Sequence, residues 1–388
     1  MSGELAGAAA SGWVPPALDA EAFATEQNAL GQVWTLLGWT RDVAREGDWF
    51  TAHLGGRSVF VQRFREGLRA FENKCAHRFF PLRQGEAGNG PVICGFHHWR
   101  YNSDGMAIGI PKSEEMFGAT PRDMGICLRP VEIEICGSLI FGRFASAGHT
   151  ESLRAFLGPL FDIVRAMSPD GIAPLRGASV LPFNWRFAYE IALDDYHIVA
   201  VHSDTFGKRG YMLRDRVQYE RSGPHSAYCA ARVPDLLEGI AAACNAGTYR
   251  PSNDYLIMHL FPNIALVQTH VATVMGVRYV YLMLLQFVPL APDTTQLRWW
   301  LWPSPFPTGD TPLQRVFRRI SMPISLPLTR RGMLRILAED NAVCAHLQAH
   351  ARPDDGSPRL GAMEERIGWH NEAYRQVLEQ AQRDAVRE

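Results

Sequence analysis

Cys75-Ala-His77 and Cys94-Gly-Phe-His97 restrict the fold of this chain more than any other stretch, because four metal-type ligands in two loops must meet at one place. The half-motifs are C-x-H and C-x-x-H, with sixteen residues between His77 and Cys94. Zinc modules usually group like with like, as C-x₂₋₄-C and H-x₃₋₅-H. Here the types alternate. A two-iron, two-sulfide cluster with two thiolates on one iron and two imidazoles on the other needs one ligand of each kind from each loop. Pro81, Gly85, Gly88, Gly90, Pro91 and Gly95 interrupt regular structure around the ligands, as ligand-presenting loops require.

The segment from Cys75 to Gly105, including His97-His-Trp99-Arg-Tyr101-Asn-Ser-Asp-Gly105, resembles the Rieske module of the Rieske non-haem iron oxygenases, the aromatic-ring-hydroxylating alpha subunits. It departs from many members at His98, where they carry Gly. The resemblance implies a [2Fe-2S] cluster on Cys75, His77, Cys94 and His97.

A second constellation follows. Asp194-Asp-Tyr-His197-Ile-Val-Ala-Val-His202 has the form D-x₂-H-x₄-H. On a helix Asp194 and His197 would share a face, whereas His197 to His202 overshoots a turn, so both imidazoles converge only if the helix bends or ends between them. Two His and one carboxylate make the facial triad of a non-haem Fe(II) oxygenase. Asp340, in Leu337-Ala-Glu339-Asp340-Asn-Ala-Val-Cys344-Ala-His-Leu-Gln348, resembles the carboxylate of the family's C-terminal Glu-Asp segment, with Glu339 as fallback. By the same resemblance Asp194 is a bridge: electrons pass from His97 of one subunit through Asp194 of the next to His197. Glu190 and Asp195 read as helix-face charges, and His259 as a core histidine. His53, His149, His225, His270, His346, His350 and His370 have no ligand spacing.

The chain has 388 residues, 47% hydrophobic and 20% charged, enough for a sizeable core and two or three domains. A net charge of −1 provides no global field toward nucleic acid or an acidic membrane, and neither partner is expected. Without a long apolar run or a basic leader, the chain reads as cytoplasmic. The remaining cysteines, Cys127, Cys136, Cys229, Cys244 and Cys344, read as buried thiols rather than a disulfide framework.

The expected fold is α+β. Residues 1–31 form an arm with a short helix from about Asp19; 32–144 form an all-β Rieske domain of short alternating strands; 145–388 form a catalytic domain with helices on an antiparallel sheet, like a helix grip. Helices are expected from Glu151 to Phe161, through the stretch ending near His202, and over 311–319, 331–350 and 363–383. Leu260, Phe261, Ile264, Tyr279, Tyr281 and Met283 suggest an apolar pocket wall, and Trp299-Trp300-Leu-Trp302 a core cluster.

The family resemblance implies the terminal component of a multicomponent oxygenase that uses O₂ to hydroxylate or demethylate a small, aromatic substrate. No G-x-G-x-x-G follows a strand, so electrons come from a separate NAD(P)H-dependent reductase, directly or through a ferredoxin. The arginines before Asp340 (Arg315, Arg318, Arg319, Arg330, Arg331 and Arg335) read as a solvated surface, with a docking patch for an acidic electron donor as the second reading. The implied assembly is a head-to-tail homotrimer, with room for a beta subunit. The competing readings are a Rieske electron carrier without oxygenase activity and a zinc-stabilised binding module.

Overall fold

The computed structural model describes residues 13–146, 150–203, 205, 217–252, 254–352 and 354–387. Part of the N-terminal arm, and His149, therefore lie outside the described residues. The chain divides into two compact units, one formed by Glu26–Leu153 with Gln380–Glu388 and the other by Met1–Thr25 with Arg154–Glu379.

The first helix is α1 (Ala20–Leu30). The strands of the first unit are β1 (Thr35–Trp39), β2 (Asp48–Leu54), β3 (Arg57–Phe64), β4 (Gly67–Glu72), β5 (Ala87–Asn89), β6 (Val92–Ile93), β7 (Arg100–Tyr101), β8 (Ala107–Gly109), β9 (Pro130–Cys136) and β10 (Leu139–Arg143). Seven form a sheet in the order β1-β10-β9-β4-β3-β2-β5, and β6-β7-β8 form a second, three-stranded sheet. Two short helices, α2 (Ser113–Phe117) and α3 (Pro121–Met124), follow β8. The core has two parts. Leu37, Val59, Val61 and Ile140 fill one. Phe60, Phe71, Trp99 and Tyr101 pack with Cys75 and Cys94 in the other, so the ligand loops are rooted in apolar contacts.

The second unit has one seven-stranded antiparallel sheet in the order β11-β17-β16-β15-β14-β13-β12. Its strands are β11 (Leu175–Leu181), β12 (Gln218–Ser222), β13 (His225–Cys229), β14 (Leu256–Leu260), β15 (Ile264–Val274), β16 (Val277–Ala291) and β17 (Thr294–Pro303). The helices are α4 (Leu153–Leu157), α5 (Pro159–Met167), α6 (Trp185–Leu193), α7 (Ile198–Val201), α8 (Leu236–Asn245), α9 (Pro312–His350) and α10 (Glu365–Arg387). α6 lies against β16 and β17 and also packs on α9. Trp299, Trp300 and Trp302 are buried, as expected of a core cluster.

Several local expectations fail for identifiable reasons. The helix expected over 151–161 is broken at Gly158, which takes a left-handed φ of 54°, and α5 restarts with Pro159 in its first turn. The two helices expected over 311–350 are one helix of 39 residues that continues through Pro323 and Pro327. Both prolines face outward, where solvent reaches the carbonyls freed by the missing N–H groups. Its start is a capping box: Thr311 accepts from Gln314 N–H, and the Gln314 side chain accepts from Thr311 N–H. Cys127 is exposed and Cys244 half-buried, not core thiols.

Glu190 and Asp195 are not solvated helix-face charges. Arg186, fully buried, places Nη2 2.6 Å from Glu190 Oε1. Arg366, also buried, places Nη2 2.8 Å from Asp195 Oδ2 and Nη1 3.1 Å from His259 Nδ1. Its guanidinium lies over Tyr219 and Tyr228. Removing Arg366 leaves a buried carboxylate without its cation, so Arg366→Ala is expected to lower stability by about 3–5 kcal/mol in urea denaturation.

Candidate metal centres

The two cysteine-histidine loops share one backbone device. Phe79 N–H donates to Cys75 O at 3.0 Å, and His98 N–H donates to Cys94 O at 3.0 Å. Each closing residue is left-handed, Phe79 at φ 64° and His98 at φ 60°. This gives His98 a physical context: a position that favours glycine carries a side chain instead. Ala76 N–H donates to the Tyr101 hydroxyl oxygen at 3.2 Å, leaving that phenol, 3.1 Å from Cys75 Sγ, to donate to sulfur. The His77 and His97 rings are 4.6 Å apart, and His77 stacks on Trp99.

The Nδ1 atoms of His77 and His97 are both buried and lack hydrogen-bond partners. Burial pushes the Cys75 thiol up, and Cys94 is close enough to add to that effect. Two buried sulfurs and two orphaned imidazole nitrogens suit a cationic group with neutral-His and thiolate ligands. They do not close on one ion. Among the described residues the single group of three ligand atoms within 4.8 Å of one another is His197, His202 and Asp340. A tetrahedral zinc would draw its ligand atoms to within about 4 Å of each other. A larger, two-iron group fits the cysteine-histidine set instead. Replacing His98 by Gly removes the cost of a left-handed side-chain residue, about 1 kcal/mol, so His98→Gly should retain its cluster absorbance to a higher temperature.

In the second unit the helix ends before the histidines. Asp194 is the C-cap of α6 in an extended conformation, and His197 and His202 flank the single turn of α7 as its N-cap and C-cap. The expected proximity of Asp194 and His197 holds, but a turn produces it: Asp194 Oδ1 accepts from Tyr196 N–H at 2.6 Å and from His197 N–H at 3.3 Å. Asp340 arrives from α9. Its Oδ1 is 2.9 Å from His202 Nε2 and 3.5 Å from His197 Nε2, and the two Nε2 atoms are 3.3 Å apart. Octahedral positions on one face of an ion, with bonds near 2.1 Å, are about 3.0 Å apart, so this triangle fits a facial triad. Asp340 Oδ1 is buried without a well-aligned hydrogen bond, as expected of an atom aimed at a shared centre.

The supporting carboxylates act on the opposite ring nitrogens. Glu339 Oε2 is 2.8 Å from His202 Nδ1 and accepts from Thr205 Oγ1 at 2.8 Å. Glu339 therefore orients His202 rather than serving as a fallback ligand. Asp194 Oδ2 lies 3.4 Å from His197 Nδ1, in contact but poorly aligned for a hydrogen bond. Sequence reasoning missed Thr205 and Gln348. Gln348 Oε1 on α9 accepts at 2.7 Å from the backbone N–H of Asn184, the N-cap of α6, and so ties together the two helices that bring the triad into place.

A cavity of about 730 Å³ adjoins this site. Among its described lining residues are Thr205, Tyr255, Tyr279, Met283, Leu301 and Leu337. Of the residues expected in a pocket wall, Tyr279 and Met283 line it, whereas Leu260, Phe261, Ile264 and Tyr281 belong to the core.

Burial pulls His197 down, but Asp194 and Asp340 outweigh it and hold the imidazole at about 9, above its ordinary 6.5. In protein stripped of metal by a chelator, the resulting stabilisation is complete below 6.5 and lost as pH rises through about 9. Fe(II) has to displace that proton. Its affinity should therefore rise about tenfold per pH unit from neutrality and level off once His197 is deprotonated, measurable by anaerobic Fe(II) titration.

Comparison with known proteins agrees with these two centres. Residues 33–123 match the Rieske [2Fe-2S] domain family, and residues 164–380 match the ring hydroxylating alpha subunit (catalytic domain) family. The chain belongs to the ring hydroxylating alpha subunits, Rieske non-haem iron proteins with a [2Fe-2S] cluster and a mononuclear iron.

It is 28% identical over 179 residues to toluate 1,2-dioxygenase subunit alpha of Pseudomonas putida, covering 44% of this chain and 39% of that protein. To biphenyl 2,3-dioxygenase subunit alpha of Rhodococcus jostii it is 29% identical over 182 residues, covering 44% and 38%. The matched region thus spans about two-fifths of these curated relatives. In fold it resembles naphthalene 1,2-dioxygenase from Rhodococcus sp., with TM-score 0.66, 19% identity and 93% of each chain covered. A quaternary ammonium Rieske monooxygenase gives TM-score 0.66 at 16% identity, covering 96% of this chain and 95% of that one. No helix among the described residues is long and apolar enough to cross a membrane.

Proposed function

We propose that the chain is the terminal oxygenase component of a multicomponent Rieske system, using O₂ to hydroxylate or oxidatively demethylate a small organic substrate with aromatic character. The observation that carries this reading is the convergence of His197, His202 and Asp340 beside a 730 Å³ cavity, in a chain that also has the Rieske domain. Cys75, His77, Cys94 and His97 hold the cluster, on a functional domain of residues 32–144. His197, His202 and Asp340 hold the iron, on 145–388. When bound, the cluster supplies electrons singly and the iron activates O₂ reductively.

The chain's own residues prepare that chemistry. Glu339 takes the Nδ1–H of His202, which leaves the Nε2 lone pair facing Asp340 and His197. Asp194 lies against His197 Nδ1 without a hydrogen bond, holds the His197 backbone N–H, and stands as the bridge from the neighbouring subunit's cluster in a homotrimer. The apolar cavity wall positions substrate. Electrons come from a separate NAD(P)H-dependent reductase, with a ferredoxin as intermediary. The chain acts in the cytoplasm, a reducing compartment that keeps thiolate ligands available to a cluster.

His197→Ala and Asp340→Ala should lose the mononuclear iron and O₂ uptake while the cluster spectrum stays. Asp194→Ala should keep both metals and lower turnover by about 10–100-fold or more. Parent turnover in Asp194→Ala would remove the bridge, and a normal iron content in His197→Ala would remove the triad.

A further inference from the structure

The cavity also carries information about what enters it. Its volume, about 730 Å³, lies in the upper part of the roughly 300–1,000 Å³ range of small-molecule sites. It is long. Along α9 its lining runs from Phe317 to Leu337. At 1.5 Å per residue, Thr329 stands about 16 Å along the axis from Asp340. No proline interrupts that interval. A single ring fills only the part nearest the metal ligands.

The two ends differ in chemistry. At the near end are Leu337, three residues before Asp340, and Thr205, which bonds Glu339. At the far end Ser321, Ser325 and Thr329 recur every four residues and so share one face of α9. Tyr279, which lines the cavity, and Tyr281, two residues on along β16 and fully buried outside the lining, meet them. The Tyr279 hydroxyl pairs with Ser321 Oγ, and the Tyr281 hydroxyl lies 2.6 Å from Ser325 Oγ. Ser321 Oγ donates to Phe317 O at 2.8 Å and Thr329 Oγ1 to Ser325 O at 2.9 Å. Tyr279 is therefore the donor to Ser321, whose oxygen keeps a second lone pair. The Tyr281–Ser325 pair can run in either direction, so this seam can accept from an alcohol or donate to a ketone.

Formal charge is almost missing from the wall. Among the described lining residues Arg335 is the one charged side chain; it is 66% exposed and 3.7 Å from Glu339 Oε1. Among the described lining residues there is no acid. A carboxylate or ammonium held against the apolar part of this wall would give up water and find only Arg335 among the described lining residues to pair with, which is costly.

We propose, resting on the oxygenase reading above, that the substrate is an elongated, uncharged molecule, apolar along its length, with an alcohol or ketone at the end remote from the metal, where Ser321, Ser325 and Tyr279 read it and buried Tyr281 positions Ser325.

The test is equilibrium binding to the anaerobic, metal-loaded protein, followed by tryptophan fluorescence. The probes are naphthalene, toluate, a neutral four-ring steroid ketone and the corresponding steroid carboxylate. The neutral ketone should bind tightest and each carboxylate at least about tenfold more weakly than its neutral counterpart. Ser325→Ala and Tyr281→Phe should weaken the ketone by about five- to tenfold and naphthalene by less than about twofold. If Tyr281→Phe does not fold, Leu328→Trp, at an exposed position on the far part of the wall, should block the ketone and spare naphthalene.

Tighter binding of toluate than of the ketone, or an equal effect of these variants on every probe, would overturn the inference. Oxygen uptake separates it from the reading it rests on. Uptake with toluate but not the ketone would overturn the inference alone. Tight ketone binding in a protein that takes up no O₂ with any probe would overturn the oxygenase reading and leave the binding preference standing.

Discussion

Three side chains from two segments far apart in sequence have to point into one small space, and the packing of α6 on α9 is what makes them do so. His197 and His202 follow the end of α6, and Asp340 lies in α9. Gln348 accepts from the N-cap of α6, and fully buried Cys344 lies between Asp340 and that contact in the α9 sequence. If α9 slid by one residue along its axis, Asp340 would move about 1.5 Å and turn about 100°, enough to leave the two imidazoles unpartnered. The long helix therefore functions as a positioning element as much as a cover for the sheet.

The two centres solve the same problem with different backbone devices. In the Rieske unit each loop is a closed turn ending in a left-handed residue, seated on a core that contains the cysteines themselves. In the catalytic unit an aspartate caps one helix and opens the short turn of the next, so one residue both ends α6 and supports His197. Buried ion pairs brace this region: Arg186 with Glu190 inside α6, and Arg366 on α10 with Asp195 beside the bridge position. These pairs restrict the geometry around the histidines. Their value is in placing charges next to a metal site without leaving any unpartnered.

How much of this could be read beforehand depended on how local each constraint was. The Rieske domain was legible because each cysteine-histidine half-motif is complete within four residues, and the family comparison agrees on such a domain there. The spacing of His197 and His202 already required a break in the helix. That Asp194 would supply it was readable in principle, since Asp favours turns, but the helical periodicity around it hid the signal. Arg186 and Glu190, four apart, could likewise have been paired from sequence. Asp195 and Arg366 could not, because 171 positions separate them. The continuity of α9 through Pro323 and Pro327 was not legible, because sequence does not reveal which face of a helix meets solvent. The strand residues facing the cavity could not be told from core residues: Tyr279 and Met283 line it, while Leu260 and Ile264, in equally apolar runs, do not.

The central claim is that one chain carries both a two-iron cluster and a separate mononuclear iron. Iron and acid-labile sulfide measured per chain on anaerobically purified protein test it most directly. The account predicts about three irons and two sulfides. About two irons and two sulfides, unchanged after Fe(II) is added, would contradict it and leave an electron carrier.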